Sequence, residues 1–146
     1  MHTLITELRP EKNAGGLVAE LTQHVKNRHL PEGMTVSFQI EGNQTLSVKE
    51  DQGLLRIIQE ALNNVVKHAY ATKVNLRLHM AQPYWIEIED NGQGFNLEQA
   101  QKSGHLGLAS MRERADEISW KLSIQSSPGV GTQIRVEKMY PVDERS

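Results

Sequence analysis

The chain has 146 residues, 38% of them hydrophobic, a length that suits one compact domain with its own core. It contains no cysteine, which excludes disulfides, thiolate metal sites and a cysteine nucleophile, and fits a reducing compartment. Its formal net charge is −2, with Lys and Arg scattered along the chain, so no basic footprint for nucleic acid is present. No apolar run approaches the roughly 20 residues of a spanning helix, and the opening MHTLITELRP has acidic and polar residues inside its apolar stretch, unlike a signal peptide. The chain reads as soluble and cytoplasmic.

Residues 4–8 read as a short helix closed at Arg9-Pro10, because the residue before a proline is pushed out of helical geometry. Gly15-Gly16 leads into Leu17, Leu21 and Val25, whose four-residue spacing predicts an amphipathic helix that ends at Pro31-Glu32-Gly33. Val36, Phe38 and Ile40 alternate as a half-buried strand, Gly42-Asn43 marks a turn, and a short strand is expected around residues 46–48. From Asp51 the pattern is helical: Leu54, Leu55, Ile58, Ala61, Leu62, Val65, Val66 and Ala69 form one wide apolar face. Val74, Leu76 and Leu78 make a strand, and Trp85, Ile86 and Ile88 another that ends in Glu89-Asp90. A polar loop over 91–105 precedes a helix over 106–118, and two strands, 122–125 and 133–136, close the domain. Paired strands with helices between them predict an α/β fold, a two-layer sandwich whose mixed sheet is covered by helices on one face.

Four constellations bear on chemistry. On the long helix, Glu60, Asn63, Asn64, Lys67 and His68 place a carboxylate, carboxamides and a cation along one edge. Such an edge suits Mg²⁺ and phosphate, since Mg²⁺ takes hard oxygen ligands and keeps several waters, but by itself it reads more readily as a solvated polar face. Asp90-Asn91-Gly92-Gln93-Gly94-Phe95 follows a strand, where Asp90 suits an exocyclic amine and the glycines allow close backbone approach; as D-x-G-x-G alone it is also an ordinary turn. Gly104-His105-Leu106-Gly107-Leu108 opens a helix, whose free N–H groups favour phosphate; read alone it is a hinge. Gly129-Val130-Gly131-Thr132 precedes the last strand and reads alone as a hairpin loop. No G-x-x-x-x-G-K-[ST] phosphate loop is present.

In this order the blocks resemble the N, G1, G2 and G3 boxes of the GHKL ATPase superfamily, which includes gyrase, a heat-shock chaperone, histidine kinases and the MutL repair proteins. The likeness spans residues 50–140 and implies the Bergerat fold, with ATP between helices and sheet and a short lid over 95–103. The runs QEALNNVVKHA from Gln59 and GHLGLASMRERA from Gly104 resemble sensor histidine kinases of the NarL-linked type. The resemblance implies a join at Leu8-Arg9-Pro10, with residues 1–12 the stub of a dimerisation helix, 13–140 the catalytic ATP-binding domain and 141–146 a tail. It further implies that Asn64 ligates Mg²⁺ and that Lys67 and His68 face the phosphates. By the same resemblance Asp90 would accept the adenine amine in a pocket shaped by Gly92 and Gly94, Gly104, His105, Leu106, Gly107 and Leu108 would cap the phosphates, and Thr132 would support the adenine end. Glu60 matches an acid that acts as general base in gyrase-like relatives, whereas histidine kinases supply the base beside the acceptor histidine. The implied activity is transfer of the γ-phosphoryl of Mg-ATP to a histidine on a dimerisation domain, with a response regulator downstream. A full-length kinase of this type is a homodimer that membrane anchoring would suit, and the isolated domain is expected to be monomeric. Two other readings are a GHKL kinase acting on serine of a partner, such as an anti-sigma factor, and a nucleotide-sensing module without transfer.

None of the six histidines precedes an acid, so the acceptor block is missing and self-phosphorylation is not expected. His24 and His29, five apart, are poorly spaced for Zn²⁺ and are expected to be solvated, while Trp85 and Trp120 are expected in the core on the sheet face.

Overall fold

The computed structural model describes Ile5–Thr6 and residues 16–140. Its strands are β1 (Ile5–Thr6), β2 (Thr35–Glu41), β3 (Lys73–His79), β4 (Trp85–Asp90), β5 (Trp120–Ser127) and β6 (Gly131–Lys138). Its α-helices are α1 (Gly16–Asn27), α2 (Val48–Asn64), α3 (Leu97–Ser103) and α4 (Leu108–Glu117), with a π-helical turn over Val65–Ala69 and a 3₁₀ turn over His105–Gly107. The six-stranded sheet has the order β1-β2-β3-β4-β6-β5. It is mixed: β1, β2 and β3 run parallel, and β3–β4, β4–β6 and β6–β5 pair antiparallel.

Strand alternation decides which face is dry. Val36, Val74, Leu76, Leu78, Ile86, Ile88, Leu122, Ile124, Ile134 and Val136 are buried. They pack in one core with Leu54, Ile57, Ile58, Ala61 and Leu62 of α2, Leu17, Leu21 and Val25 of α1, and Met111 and Ala115 of α4. On the other parity, cross-strand neighbours are charged. Arg77, Glu87 and Arg135 lie in register on three adjacent strands, and Glu87 pairs with both arginines. This is the two-layer α/β sandwich expected, covered on one face.

The differences from the sequence reading have local causes. Where a helix over 4–8 is expected, Ile5–Thr6 lie extended beside Val36 and Ser37 of β2; both residues are β-branched and complete the sheet edge. The other residues of 1–12 and the tail 141–146 lie outside the described residues. The strand expected at 46–48 is a helix start. Ser47 accepts the Glu50 N–H, and Glu50 reaches back to the Ser47 N–H, a capping box that starts α2 at Val48. The loop over 91–105 contains α3, capped by the Asn96 side chain accepting the Gln99 N–H. The helix expected from 106 begins at Leu108, because Leu106 and Gly107 hold left-handed φ values of 72° and 63°. Trp120 is in the core as expected. Trp85 is on the outer face, stacked at 5.3 Å on His79 with the Arg135 guanidinium 4.4 Å from its ring. Half-buried His24 is not solvated: its Nε2 is buried, and burial followed by Arg28 pushes the imidazole pKa down.

Candidate nucleotide site

The C-terminal end of α2, the ends of β4 and β6, and the approach to α4 enclose a cavity of about 320 Å³. Of the residues singled out from sequence, Asn64, His68, Asp90, Gly94, Leu106, Leu108 and Thr132 line it. Ala61, Val65, Ala69, Ile88, Gln93, Phe95 and Ile134 complete the wall.

The sheet end of the cavity is dry and holds a carboxylate. Asp90 is 7% exposed and faces Thr132 across the β4–β6 ladder. Its Oδ1 accepts the Gly92 N–H at 2.8 Å, and the Thr132 N–H lies close by in the ladder. Burial pushes the Asp90 pKa up, the two N–H donors pull it back, and neighbouring Glu89 adds to the rise. A turn over 91–94 docks on the end of α2. The Gln93 N–H donates to the Ala69 carbonyl at 2.6 Å, and its side-chain amide donates to the His68 carbonyl. Gly92 must be glycine here, since a Cβ would stand 2.3 Å from the Ala69 oxygen.

The helical wall is shaped by the π-helical turn. Widening the helix over Val65–Ala69 presents His68 and Ala69 to the cavity, and such turns recur at functional sites. Asn64 stands at its start, and its Nδ2 donates to the Leu106 carbonyl at 2.7 Å. Its Oδ1 has no hydrogen-bond partner among the described residues. Lys67 is exposed and outside the cavity lining, and His68 is an exposed rim residue.

Glu60 does not line the cavity either. It is half-buried behind the start of α4, where a Cβ on Gly107 would lie 2.0 Å from its Oε1. Gly104 has open space around it, and nothing is described of the His105 side chain. The structure thus brings the metal candidate, the candidate amine acceptor and the loop carbonyl together, and leaves Glu60, Lys67, Gly92, Gly104 and Gly107 around them.

The residues that the reading of sites missed are mostly apolar. Ile88 and Ile134 are the inward positions next to Asp90 and Thr132 on their strands, so strand parity alone would have found them. Ala61 and Val65 follow from the apolar face that runs from α2 into the π-helical turn. Phe95 had no periodic signal, and its place comes from its N–H donating to Ser126 Oγ at 2.9 Å.

Residues 49–141 match the family described as histidine kinase-, DNA gyrase B-, and HSP90-like ATPase. The chain is 36% identical over 139 residues to the sensor histidine kinase LiaS of Bacillus subtilis (strain 168), covering 94% of this chain and 38% of that protein. It is 35% identical over 142 residues to the sensor protein VraS of Staphylococcus aureus (strain COL), covering 94% of this chain and 40% of that one. The chain therefore spans about two fifths of the length of these curated relatives. Among solved structures, the histidine kinase domain of an Erythrobacter litoralis EL346 blue-light activated kinase superposes with a TM-score of 0.65 at 20% identity, covering 83% of this chain and 57% of that one. The ATP binding domain of PrrB from Mycobacterium tuberculosis does so with a TM-score of 0.62 at 23% identity, covering 85% and 88%. A buried acid at a strand end and a carboxamide on the facing helix, carried on this fold and matched along most of the sequence, place the chain in the histidine kinase-, DNA gyrase B- and HSP90-like ATPase family.

Proposed function

We propose that this chain is the ATP-binding catalytic domain of a sensor histidine kinase, with residues 13–140 as the nucleotide-holding unit. The observation that carries the reading is one cavity with a buried acceptor, Asp90, at its dry end and the Asn64 carboxamide on the opposite helix. Adenine fits the dry end. Ile88, Phe95 and Ile134 offer apolar surface to its ring, and Asp90 accepts from its exocyclic amine.

A magnesium ion fits the other end by the chemistry of its donor. The Leu106 carbonyl takes the Asn64 N–H, so the carboxamide oxygen is the end left to serve a hard cation. Bound there, the ion would neutralise phosphate charge. His68 at the rim would meet the phosphates from the helix side, with the exposed Lys67 beyond it adding positive charge. The N–H groups over 104–108 would meet them from the loop side, with the α4 dipole behind them. Glu60 supports that loop through Gly107 and is poorly placed as a base. The chemistry left to the protein is positioning and charge stabilisation.

The acceptor histidine belongs to a dimerisation domain of the same kinase, and the phosphoryl group passes from it to a response regulator. The full-length kinase is a homodimer. This chain alone is monomeric, and it is the part of the kinase that works in the cytoplasm. No helix among the described residues is long and apolar enough to cross a membrane.

Calorimetry with Mg-ATP tests the reading. The chain should bind ATP more tightly with Mg²⁺ than without, and folded Asn64→Ala should lose that metal-dependent increment, about tenfold for one charge-assisted contact. Labelled ATP should leave no phosphohistidine on the chain alone, and should label a dimerisation domain of the LiaS or VraS type added in trans. An Asn64→Ala variant with unchanged metal dependence rejects the metal assignment.

A further inference from the structure

Ser126, at the end of β5, belongs to none of the sequence blocks, yet its hydroxyl meets three groups beside the cavity. Its oxygen lies 2.9 Å from the Phe95 N, 3.2 Å from the Gly131 carbonyl oxygen and 2.7 Å from Thr132 Oγ1. A hydroxyl has one proton and two lone pairs. The Phe95 N–H can only donate, so it takes one lone pair. The Gly131 carbonyl can only accept, whereas the Thr132 hydroxyl can donate or accept. Giving the proton to Gly131 leaves the second lone pair for Thr132, and Thr132 then donates in the shortest of the three contacts.

We propose that Ser126 is a positioning residue for base recognition: it takes up the hydroxyl proton of Thr132 and leaves Thr132 as a second acceptor beside Asp90. Thr132 lines the cavity and stands directly across the ladder from Asp90. Its own N–H is taken up at Asp90, its partner in the ladder. Two neighbouring acceptors with no free donor between them suit a group with two N–H bonds, the 6-amino group of a purine. They disfavour a 6-oxo purine, whose carbonyl would face acceptors alone and stay unpaired. Base choice in this site is then set by a proton count three groups deep, and a carboxylate alone is half of it. The inference rests on the nucleotide reading above and adds to it a residue with no contact to the ligand.

The test compares Mg-ATP with Mg-ITP on the whole chain by calorimetry, because inosine differs from adenosine at the 6-position. The wild-type chain should favour ATP. In Ser126→Ala the Thr132 hydroxyl turns freely and can donate to a 6-carbonyl, so the ATP-to-ITP ratio should narrow by about threefold to tenfold, the worth of one hydrogen bond. Ser126→Thr, which keeps the hydroxyl, should restore the ratio. Thr132→Val should narrow it as well, and adding Ser126→Ala to Thr132→Val should change it no further. A loss of affinity equal for both nucleotides would mean that Ser126 only anchors Phe95, and would overturn the proposal. If Ser126→Ala does not fold, Thr132→Val and Thr132→Ser decide: an unchanged ratio in Thr132→Val overturns it. A wild-type chain that binds neither nucleotide rejects the ATP reading together with this one; a chain that binds ATP with a ratio indifferent to both residues rejects this one alone.

Discussion

Glu50 and Asp90 are both sheltered carboxylates, at different corners of the molecule, and they titrate in opposite directions. Glu50 sits in the first turn of α2. Its Oε2 accepts from Trp120 Nε1 at 2.8 Å and pairs with Lys138 Nζ at 3.1 Å, while its Oε1 takes the Ser47 N–H and hydroxyl. Burial pushes its pKa up, but the Trp120, Lys138 and Ser47 donors outweigh burial and hold it below the usual carboxylate range. Asp90 has two backbone N–H donors, and burial wins. The difference separates structure from function. A carboxylate with a full set of donors joins helix and strands, whereas one left short of donors at the wall of a cavity has room to accept from a ligand, as proposed above.

Asp90→Asn should break the comparison at the ligand corner and give the largest effect. An amide cannot accept on both sides, so ATP affinity should fall by about tenfold to a hundredfold, the worth of a hydrogen bond to a charged group. Stability should move the other way. The folded pKa of Asp90 lies above its unfolded value, so the ionised form costs the fold stability at neutral pH. That cost disappears as pH falls through the folded pKa. Asp90→Asn should therefore melt higher than wild type near neutral pH and lose this advantage in acid. Calorimetry and melts across pH measure both, and a variant that loses ATP binding together with stability at neutral pH would show that Asp90 is a structural carboxylate.

Glu50→Gln sharpens the same comparison from the structural corner. One amide oxygen cannot serve Trp120, Lys138 and Ser47 together, so the variant should lose about 1–2 kcal/mol, the worth of a lost hydrogen bond and a weakened cap. The sign with pH is opposite to that of Asp90. A lowered folded pKa contributes stability above the unfolded pKa, lost as pH falls through the folded one, so acid sensitivity should diminish in the variant. ATP affinity of the folded protein should be unchanged. Urea melts at two pH values check the first claim and calorimetry the second, and a large change in ATP affinity would show that the two corners are coupled.

The two corners were not equally legible in the sequence. Asp90 was readable because it follows an alternating strand and precedes glycines, and Asn64 because it sits one turn from Glu60 on a periodic helix. The Glu50 corner was missed although Ser47-x-x-Glu50 is a capping-box spacing, because Leu46 and Val48 drew the segment toward a strand. Lys67 shares an edge with Asn64 on an ideal helix, but the π-helical turn changes the helical phase after Asn64, and Lys67 stands outside the cavity. Glu60 likewise shares the edge, and only the left-handed Gly107 shows that its carboxylate packs behind the loop. Trp85 was misplaced because local sequence does not tell which face of a strand the helices cover, and the Arg135 and His79 that flank its ring come from other strands. Periodicity assigned elements and a line of site residues; tertiary contact decided which of them meet.

The smallest effect concerns the backbone behind the ligand corner. Tyr70 ends the π-helical turn with φ 54° and ψ 38°, a left-handed conformation that costs a residue with a Cβ about 1–2 kcal/mol and that asparagine adopts more readily. Tyr70 is 82% exposed, so replacing its ring forfeits little packing. The conformation is imposed from both sides. The Ala69 and His68 carbonyls are held by Gln93, and two residues later the Thr72 and Lys73 N–H groups both donate to the Asn91 side chain. The turn that carries Asp90's neighbours thus fixes the chain on either side of Tyr70, which leaves the residue strained and free of contacts to defend. Tyr70→Asn should raise stability by about 0.5–1 kcal/mol, since the gain in backbone energy is offset only by a small change in unfolded-chain entropy. ATP affinity should stay within a factor of about two, as no cavity residue changes. A thermal melt and one titration settle it. A destabilised Tyr70→Asn would mean that the ring contributes to the fold, and a stabilised variant with weakened ATP binding would mean that the strain itself tunes the helix end that carries His68.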